Sequence, residues 1–198
     1  MKKRMIQLLA MTMVAVGLTG CGIQSIPQAK NDTDAAVAEV TNQYKRRADL
    51  VPNLVNTVKG YASHEKDTLS AVVEARAKAT QVQIDPNQMS AEKLAEFQRA
   101  QGSLSQALGR LMMITENYPN LKADTQFRDL QAQLEGTENR ITVARQRLIE
   151  SIKNFNNLVT VPPTSWTNSI LYHHDKMAQW DLTAEEKATA EKAPEVKF

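Results

Sequence analysis

From Asp32 to Val159 the apolar residues return at steps of three and four, and alternating runs of Val, Ile and Thr are scarce, so the pattern predicts an all-α protein. Three long helices follow from it. The first opens near Asp32, Thr33 or Asp34, whose side chains can accept from the free N–H groups of a first turn, and fades near Gln81 before Asp85-Pro86-Asn87. Its stripe of Tyr44, Ala48, Val51, Val55, Val58 and Ala62, widened by Leu54 and Tyr61, is a face that must be buried. The second helix follows Ser90 and stops at Tyr118-Pro119. Its Leu94, Phe97, Gln101, Leu104, Leu108, Leu111, Thr115 and Tyr118 are spaced like a coiled-coil seam. The third runs from Asp124 to Val159, and Phe127, Leu130, Leu134, Thr137, Ile141, Ala144, Leu148, Ser151, Phe155 and Leu158 keep that rhythm.

The connections at Asp85 to Ser90 and Tyr118 to Ala123 are short, which forces neighbouring helices to run antiparallel. At ~1.5 Å per residue the three helices would be roughly 70, 40 and 55 Å long, so the first outruns its partners unless it bends. Pro52 has no N–H for the carbonyl of Ala48 and is the expected place for a kink or a new segment. Past Val161-Pro162-Pro163, the residues Trp166, Ile170, Leu171, Met177, Trp180 and Leu182 suggest a shorter fourth helix or an arm lying on the bundle. The expected fold is an elongated antiparallel bundle of three long helices plus this C-terminal helix or arm, over residues 32–198.

The N-terminus reads as an address. Met1-Lys2-Lys3-Arg4 is a basic region, Met5 to Gly17 is mostly apolar, and Leu18-Thr19-Gly20-Cys21 ends in small residues before the sole cysteine. A helix over Met5 to Leu18 would rise only about 20 Å against a hydrocarbon core of roughly 30 Å, which favours a cleaved signal at residues 1–20 over a spanning helix. The box resembles a bacterial lipobox, and that likeness implies that Cys21 is diacylated on sulfur and becomes the first residue of the mature chain. Two or three acyl chains anchor stably to a membrane where one would be marginal. Gly22 rather than Asp follows Cys21, which implies the periplasmic side of the outer membrane if the host is Gram-negative. Residues 21–31, with Pro27 and small polar side chains, are expected to be a lipidated tether.

Charge removes one class of partner. Three of the 24 basic residues lie before the apolar run, so the mature chain keeps 21 against 22 acids, interspersed along it. Nucleic-acid binding needs clustered base to neutralise phosphates, and the reading excludes it.

One stripe is not explained by packing. Arg46, Asp49, Asn53, Asn56, Thr57, Gly60 and His64 line the side of the first helix opposite its apolar face, with amides, a glycine and a histidine in place of the usual Glu/Lys mixture. This face is the candidate interaction surface, joined by Glu138, Asn139 and Arg140 of the third helix. Gly136 and Thr137 beside them are small enough for close helix approach. Gln101, Thr115, Thr137 and Ser151 interrupt the seams and are expected to pair across the core, setting register.

Chemistry-bearing patterns are few. With Cys21 lipidated no thiol remains, His64, His173 and His174 are wrongly spaced for a helical metal site, and Gly60, Gly102, Gly109 and Gly136 stand alone where phosphate loops need clustered glycines. No enzyme, metal or cofactor is expected. The alternative reading is an envelope hydrolase or modifying enzyme using Glu65, Glu116 or Glu138 as acid or base.

Several segments resemble the LemA family. They are Arg46-Arg47-Ala48-Asp49-Leu50-Val51-Pro52-Asn53-Leu54-Val55, Thr57-Val58-Lys59-Gly60-Tyr61-Ala62, His64-Glu65, Ala75-Arg76, Glu116-Asn117-Tyr118-Pro119-Asn120-Leu121-Lys122-Ala123, Thr137-Glu138-Asn139-Arg140-Ile141 and the closing Pro194-Glu195-Val196-Lys197-Phe198. The resemblance spans about Tyr44 to Phe198. It implies a membrane-anchored bundle of long antiparallel helices, a family with no established biochemical activity, and relatives encoded beside membrane metalloproteases of the HtpX type and proteins of the TPM class. The chain departs from the pattern in having a lipobox where many relatives keep a spanning helix. It also has Arg147-Leu148 and Phe155-Asn156 where tyrosine-asparagine pairs are usual, and an atypical segment around His173-His174. The function expected is a lipid-anchored helical scaffold or protein-interaction module of the bacterial cell envelope, bound to the membrane through its N-terminal lipid and to envelope proteins, a membrane metalloprotease among them.

Overall fold

A computed structural model describes residues 23–86 and 89–180. Cys21, the leader before it and the closing Pro194 to Phe198 motif lie outside the described residues. The elements are α1 (Ser25–Tyr61), α2 (Lys66–Gln81), α3 (Ala91–Thr115), the short α4 (Pro119–Ala123), α5 (Thr125–Thr160), the single turn α6 (Thr164–Thr167) and a π-helical turn, Asn168–Tyr172. Every one is helical, and the all-α bundle is as expected.

The long first helix is really two, and the break is not at Pro52. Helix α1 runs through Pro52 unbroken, because the Ala48 carbonyl that the proline cannot serve accepts instead from Arg76 Nε of α2 at 2.7 Å. The reversal comes at residues 62–65. There the Ala62 N–H closes α1 on Val58 O (2.8 Å) and the Glu65 N–H bonds Ala62 O (3.1 Å), while the Ala62 side chain is wholly buried and pins the turn to the core. Tyr118 O–H, donating to Glu65 Oε1 at 2.9 Å, clamps the same turn. The apolar rhythm runs on across the break since Ala62 and Leu69, seven apart, face one core from two helices.

Helix α1 also begins earlier than its expected caps. Ser25 to Asn31, expected as tether, is the first two turns of α1, with Ile26 and Ala29 buried against Phe155 and Val159 of α5. Thr33 is an interior position whose hydroxyl donates to Ala29 O, and Asp34 pairs with Lys30 one turn back. By contrast, Ser90 caps α3 as anticipated, accepting from the Lys93 N–H, and Asp124, expected as the start of the third helix, proves to be its cap, accepting from the Phe127 N–H.

Two antiparallel pairs make the bundle. Helix α1 packs along α5, α2 along α3, and α1 on α2. Val51, Leu54 and Val58 of α1 meet Leu69 and Val72 of α2, Leu104 and Leu111 of α3, and Phe127 of α5 in a four-helix core. Further along, Val37, Val40 and Tyr44 meet Phe97, Ile141, Ala144, Leu148 and, from the C-terminal arm, Trp180. Last comes the α1–α5 pair alone, covered by Tyr172 and Met177.

In α3 the buried side chains are Leu94, Phe97, Gln101, Leu104, Leu108, Leu111 and Thr115, the expected seam. In α5 the seam advances by one residue after Leu148, to Ile152, Phe155 and Val159 in place of Ser151 and Leu158. A straight helix loses about 20° per heptad, and one added residue restores the face after several heptads. Tyr61, expected in the apolar stripe, is 45% exposed, with its O–H on Asp124 Oδ2 at 2.9 Å.

The expected register pairs do not form. Thr115, Thr137 and Ser151 donate to carbonyls of their own helices, those of Met112, Gln133 and Leu148. Only Gln101 crosses, to α1 and α2. Close approach at Gly136 is likewise absent, because a Cβ built there meets nothing within 4 Å. Gly136→Ala is therefore expected to raise stability by about 0.5–1 kcal/mol, read as an upward shift in urea midpoint at unchanged m-value. A loss of stability would mean that the glycine serves a contact the fold does not show.

Candidate functional site

The most concentrated polar chemistry lies inside the bundle, on Arg47. It stands one residue from the expected surface stripe, between Tyr44 and Val51 in the apolar rhythm, and only 3% of its side chain is exposed. Its Nη1 donates to Ser105 Oγ (2.7 Å) and to both oxygens of Glu138 (2.8 and 3.1 Å), and Nη2 donates to the carbonyl (3.1 Å) and side-chain oxygen (2.8 Å) of Gln101. Gln101 in turn donates to Ala79 O at the end of α2 (3.0 Å). A single guanidinium thus ties α1, α3 and α5 directly, and α2 through one amide.

Aromatic rings extend the assembly to the arm. The guanidinium lies over the Tyr44 ring at 5.1 Å, Tyr44 meets Phe97 edge-on, Phe97 meets Trp180, and Arg145 caps Trp180 at 5.3 Å. The Arg47–Glu138 bridge divides the opening between α3 and α5 into two clefts. One, of about 340 Å³, is lined by Gln98, Gly102, Thr142, Arg145 and Trp180. The other, of about 590 Å³, is lined by Leu108, Gly109, Met112, Gln131, Leu134 and Asn139.

The expected interaction surface lies elsewhere. Arg46, Asp49, Asn53, Asn56 and Gly60 are exposed along α1, and Thr57 is half-buried with its hydroxyl on Asn53 O. Among the described residues, the side chains of Arg46, Asp49, Asn53 and Asn56 make no hydrogen bond or ion pair, so the contacts their spacing allowed are not made. His64 is exposed but sits in the α1–α2 turn and not on the helix. Glu138, grouped with this face from sequence, is drawn inward to Arg47. Asn139 and Arg140 beside it are exposed, Asn139 on the rim of the larger cleft.

Arg47 was the residue missed, since a cation in a seam is read as a surface neighbour when charged side chains are so seldom buried unpaired. Its spacing carried a signal: Tyr44, Arg47, Val51, Leu54 and Val58 keep three- and four-residue steps as faithfully as the apolar set.

The other carboxylates proposed for chemistry each have a local partner. Glu65 accepts from Tyr118, whose phenol is pushed up chiefly by that hydrogen bond, and Glu116 pairs with Lys122. Asp124 is held below the usual carboxylate range first by the Phe127 N–H and then by Tyr61, whose own phenol is raised by the same bond. Glu92 is lowered by its own backbone N–H and by Ser90 at the start of α3. His174 packs its ring on Phe155 and Tyr172. Among the described residues no group of His, Cys, Asp and Glu is placed to hold a metal ion, and no helix is long and apolar enough to cross a membrane.

Fold and polar knot together define an all-α bundle of two antiparallel helix pairs locked by one buried arginine. The family model described as the LemA family matches residues 36–198, and the chain belongs to that family. The signature segments now have structural roles: Arg47 and Glu138 form the knot, and Pro52 and Arg76 form the Ala48 carbonyl exchange. Comparison with curated protein sequences returns no match.

Proposed function

We propose that the protein is a lipid-anchored scaffold of the bacterial cell envelope that engages partner proteins through the outward face of α1. The carrying observation is the contrast between neighbouring positions. Both terminal nitrogens of Arg47 bond inside the bundle, whereas the side chains of Arg46, Asp49, Asn53 and Asn56 stand exposed with no intramolecular hydrogen-bond or ion-pair partner among the described residues. A rigid helix holding amides and one charge of each sign in fixed register suits specific polar recognition better than a generic solvated face. The Cys21 lipobox supports the anchor and an extracytoplasmic site, on the periplasmic side of the outer membrane if the host is Gram-negative. The gene neighbours of relatives favour a membrane metalloprotease as the partner.

The test is photocrosslinking in living cells from amino acids placed at positions 46, 49, 53 and 56, with positions 74 and 96 on α2 and α3 as controls. A discrete adduct is expected from the α1 positions alone. Combined Arg46→Ala, Asp49→Ala and Asn53→Ala should abolish it at unchanged helicity and melting temperature. Equal crosslinking from the control positions, or unfolding of the triple variant, would sink the reading.

A further inference from the structure

The end of the bundle at which α1 begins is chemically unlike the rest. In a chain that is 23% charged, no Asp, Glu, Lys or Arg occurs in the 19 residues from Asn154 to Tyr172, nor from Ile23 to Ala29. These two segments meet in space. Ile26 and Ala29 pack on Phe155 and Val159, and Tyr172 O–H donates to Ile23 O at 2.6 Å. The same end gathers most of the exposed large apolar side chains: Trp166 (64%), Ile170 (73%), Leu171 (55%), Val161 (53%) and Ile23 (45%).

They are held outward by design of the turn beneath them. Asn168, buried, donates to His174 O at 2.9 Å and accepts from the His174 N–H at 3.0 Å, and Asn156 brackets Met177 in the same way through its N–H and carbonyl. With Asn168 turned in, Trp166 and Ile170, four apart, share the outer face.

We infer that this uncharged apolar end is a bilayer-docking surface, seated in the headgroup and upper acyl region of the membrane that carries the lipid anchor. The occupant is set by where the chain leads. Cys21 is two residues before Ile23, and two residues span at most about 7 Å, so acyl chains on Cys21 would enter the bilayer close to Tyr172, at the end of the segment that carries Trp166 and Ile170. Tryptophan and tyrosine with small polar neighbours, free of charge, match the interfacial zone. The inference rests on the lipid-anchor reading above. It adds that the rod is held by two contacts, and so has a set orientation with the α1 face presented away from the anchor.

The chain has two tryptophans, and Trp180 is buried (5% exposed), so it serves as an internal reference. Full-length protein purified from membranes is first weighed by intact mass spectrometry for acyl chains on Cys21. It is then reconstituted into phosphatidylethanolamine and phosphatidylglycerol vesicles with brominated acyl chains. Trp166 emission should fall about twofold or more, as expected of a ring at the acyl boundary. Trp166→Phe should remove that quenching, and Ile170→Glu with Leu171→Glu should restore bright, red-shifted Trp166 emission at unchanged circular dichroism. A diacylated chain whose Trp166 is unquenched by lipid but accessible to aqueous acrylamide overturns the docking surface and leaves the anchor standing. Trp166 shielded from both quenchers means a second copy or another protein covers the patch, which also overturns it. An unmodified Cys21 removes the anchor and the inference together.

Discussion

Replacing Glu138 with alanine is expected to destabilise the domain by about 2–3 kcal/mol, although nearly half of the Glu138 side chain is in water. The cost lies with the residue left behind. Arg47 stays charged, is almost fully enclosed, and would keep only the neutral oxygens of Ser105 and Gln101 as acceptors. Those three bonds place the effect below the range for ion pairs buried on both sides. The converse change is milder. With Arg47→Met the carboxylate of Glu138 turns to solvent and the methionine fills apolar space beside Tyr44, while Gln101 loses two bonds and Ser105 one, for about 1–2 kcal/mol. Urea unfolding of both single variants and of the double variant checks this. A cost for Arg47→Met equal to or above that of Glu138→Ala would show that packing, and not the stranded cation, sets the energy.

The second large effect is conditional. Arg76→Met removes the donor to Ala48 O, a backbone acceptor on a residue only 4% exposed, and should cost about 1–2 kcal/mol. In a Pro52→Ala background residue 52 regains an N–H directed at that carbonyl, so the same Arg76→Met change should cost less than about 0.5 kcal/mol. The difference between the two backgrounds is the measurement. Equal costs would mean that Arg76 contributes through its aliphatic stem and not through its bond to Ala48.

Both effects depend on contacts that no local pattern announces. Pro52 is visible in the sequence as a missing donor to the Ala48 carbonyl, but the new partner of that carbonyl lies 28 residues away on another helix. No new segment starts at Pro52, where α1 continues as helix. Similarly, the five-residue LemA resemblance from Thr137 to Ile141 marked Glu138 as special without revealing that its partner is Arg47, 91 residues earlier. The α1 surface residues were legible individually because exposure follows from helical phase, which any residue's position in the repeat determines.

What the sequence alone determined was the helical class, the α3 seam from Leu94 to Thr115, the cap at Ser90, the start of α5 near Asp124, and the family, because these follow from periodicity and neighbours within a few residues. Only the tertiary structure decided that the chain reverses at residues 62–65, that α1 reaches back to Ser25, and that Arg47 is interior. An unbroken three-and-four rhythm is compatible with one helix or with two that share a core. A cation in that rhythm is tolerable only if acceptors 54, 58 and 91 residues away converge on it. Burial energy depends on which helices meet, and that is a property of the assembled bundle, not of any stretch of chain within it.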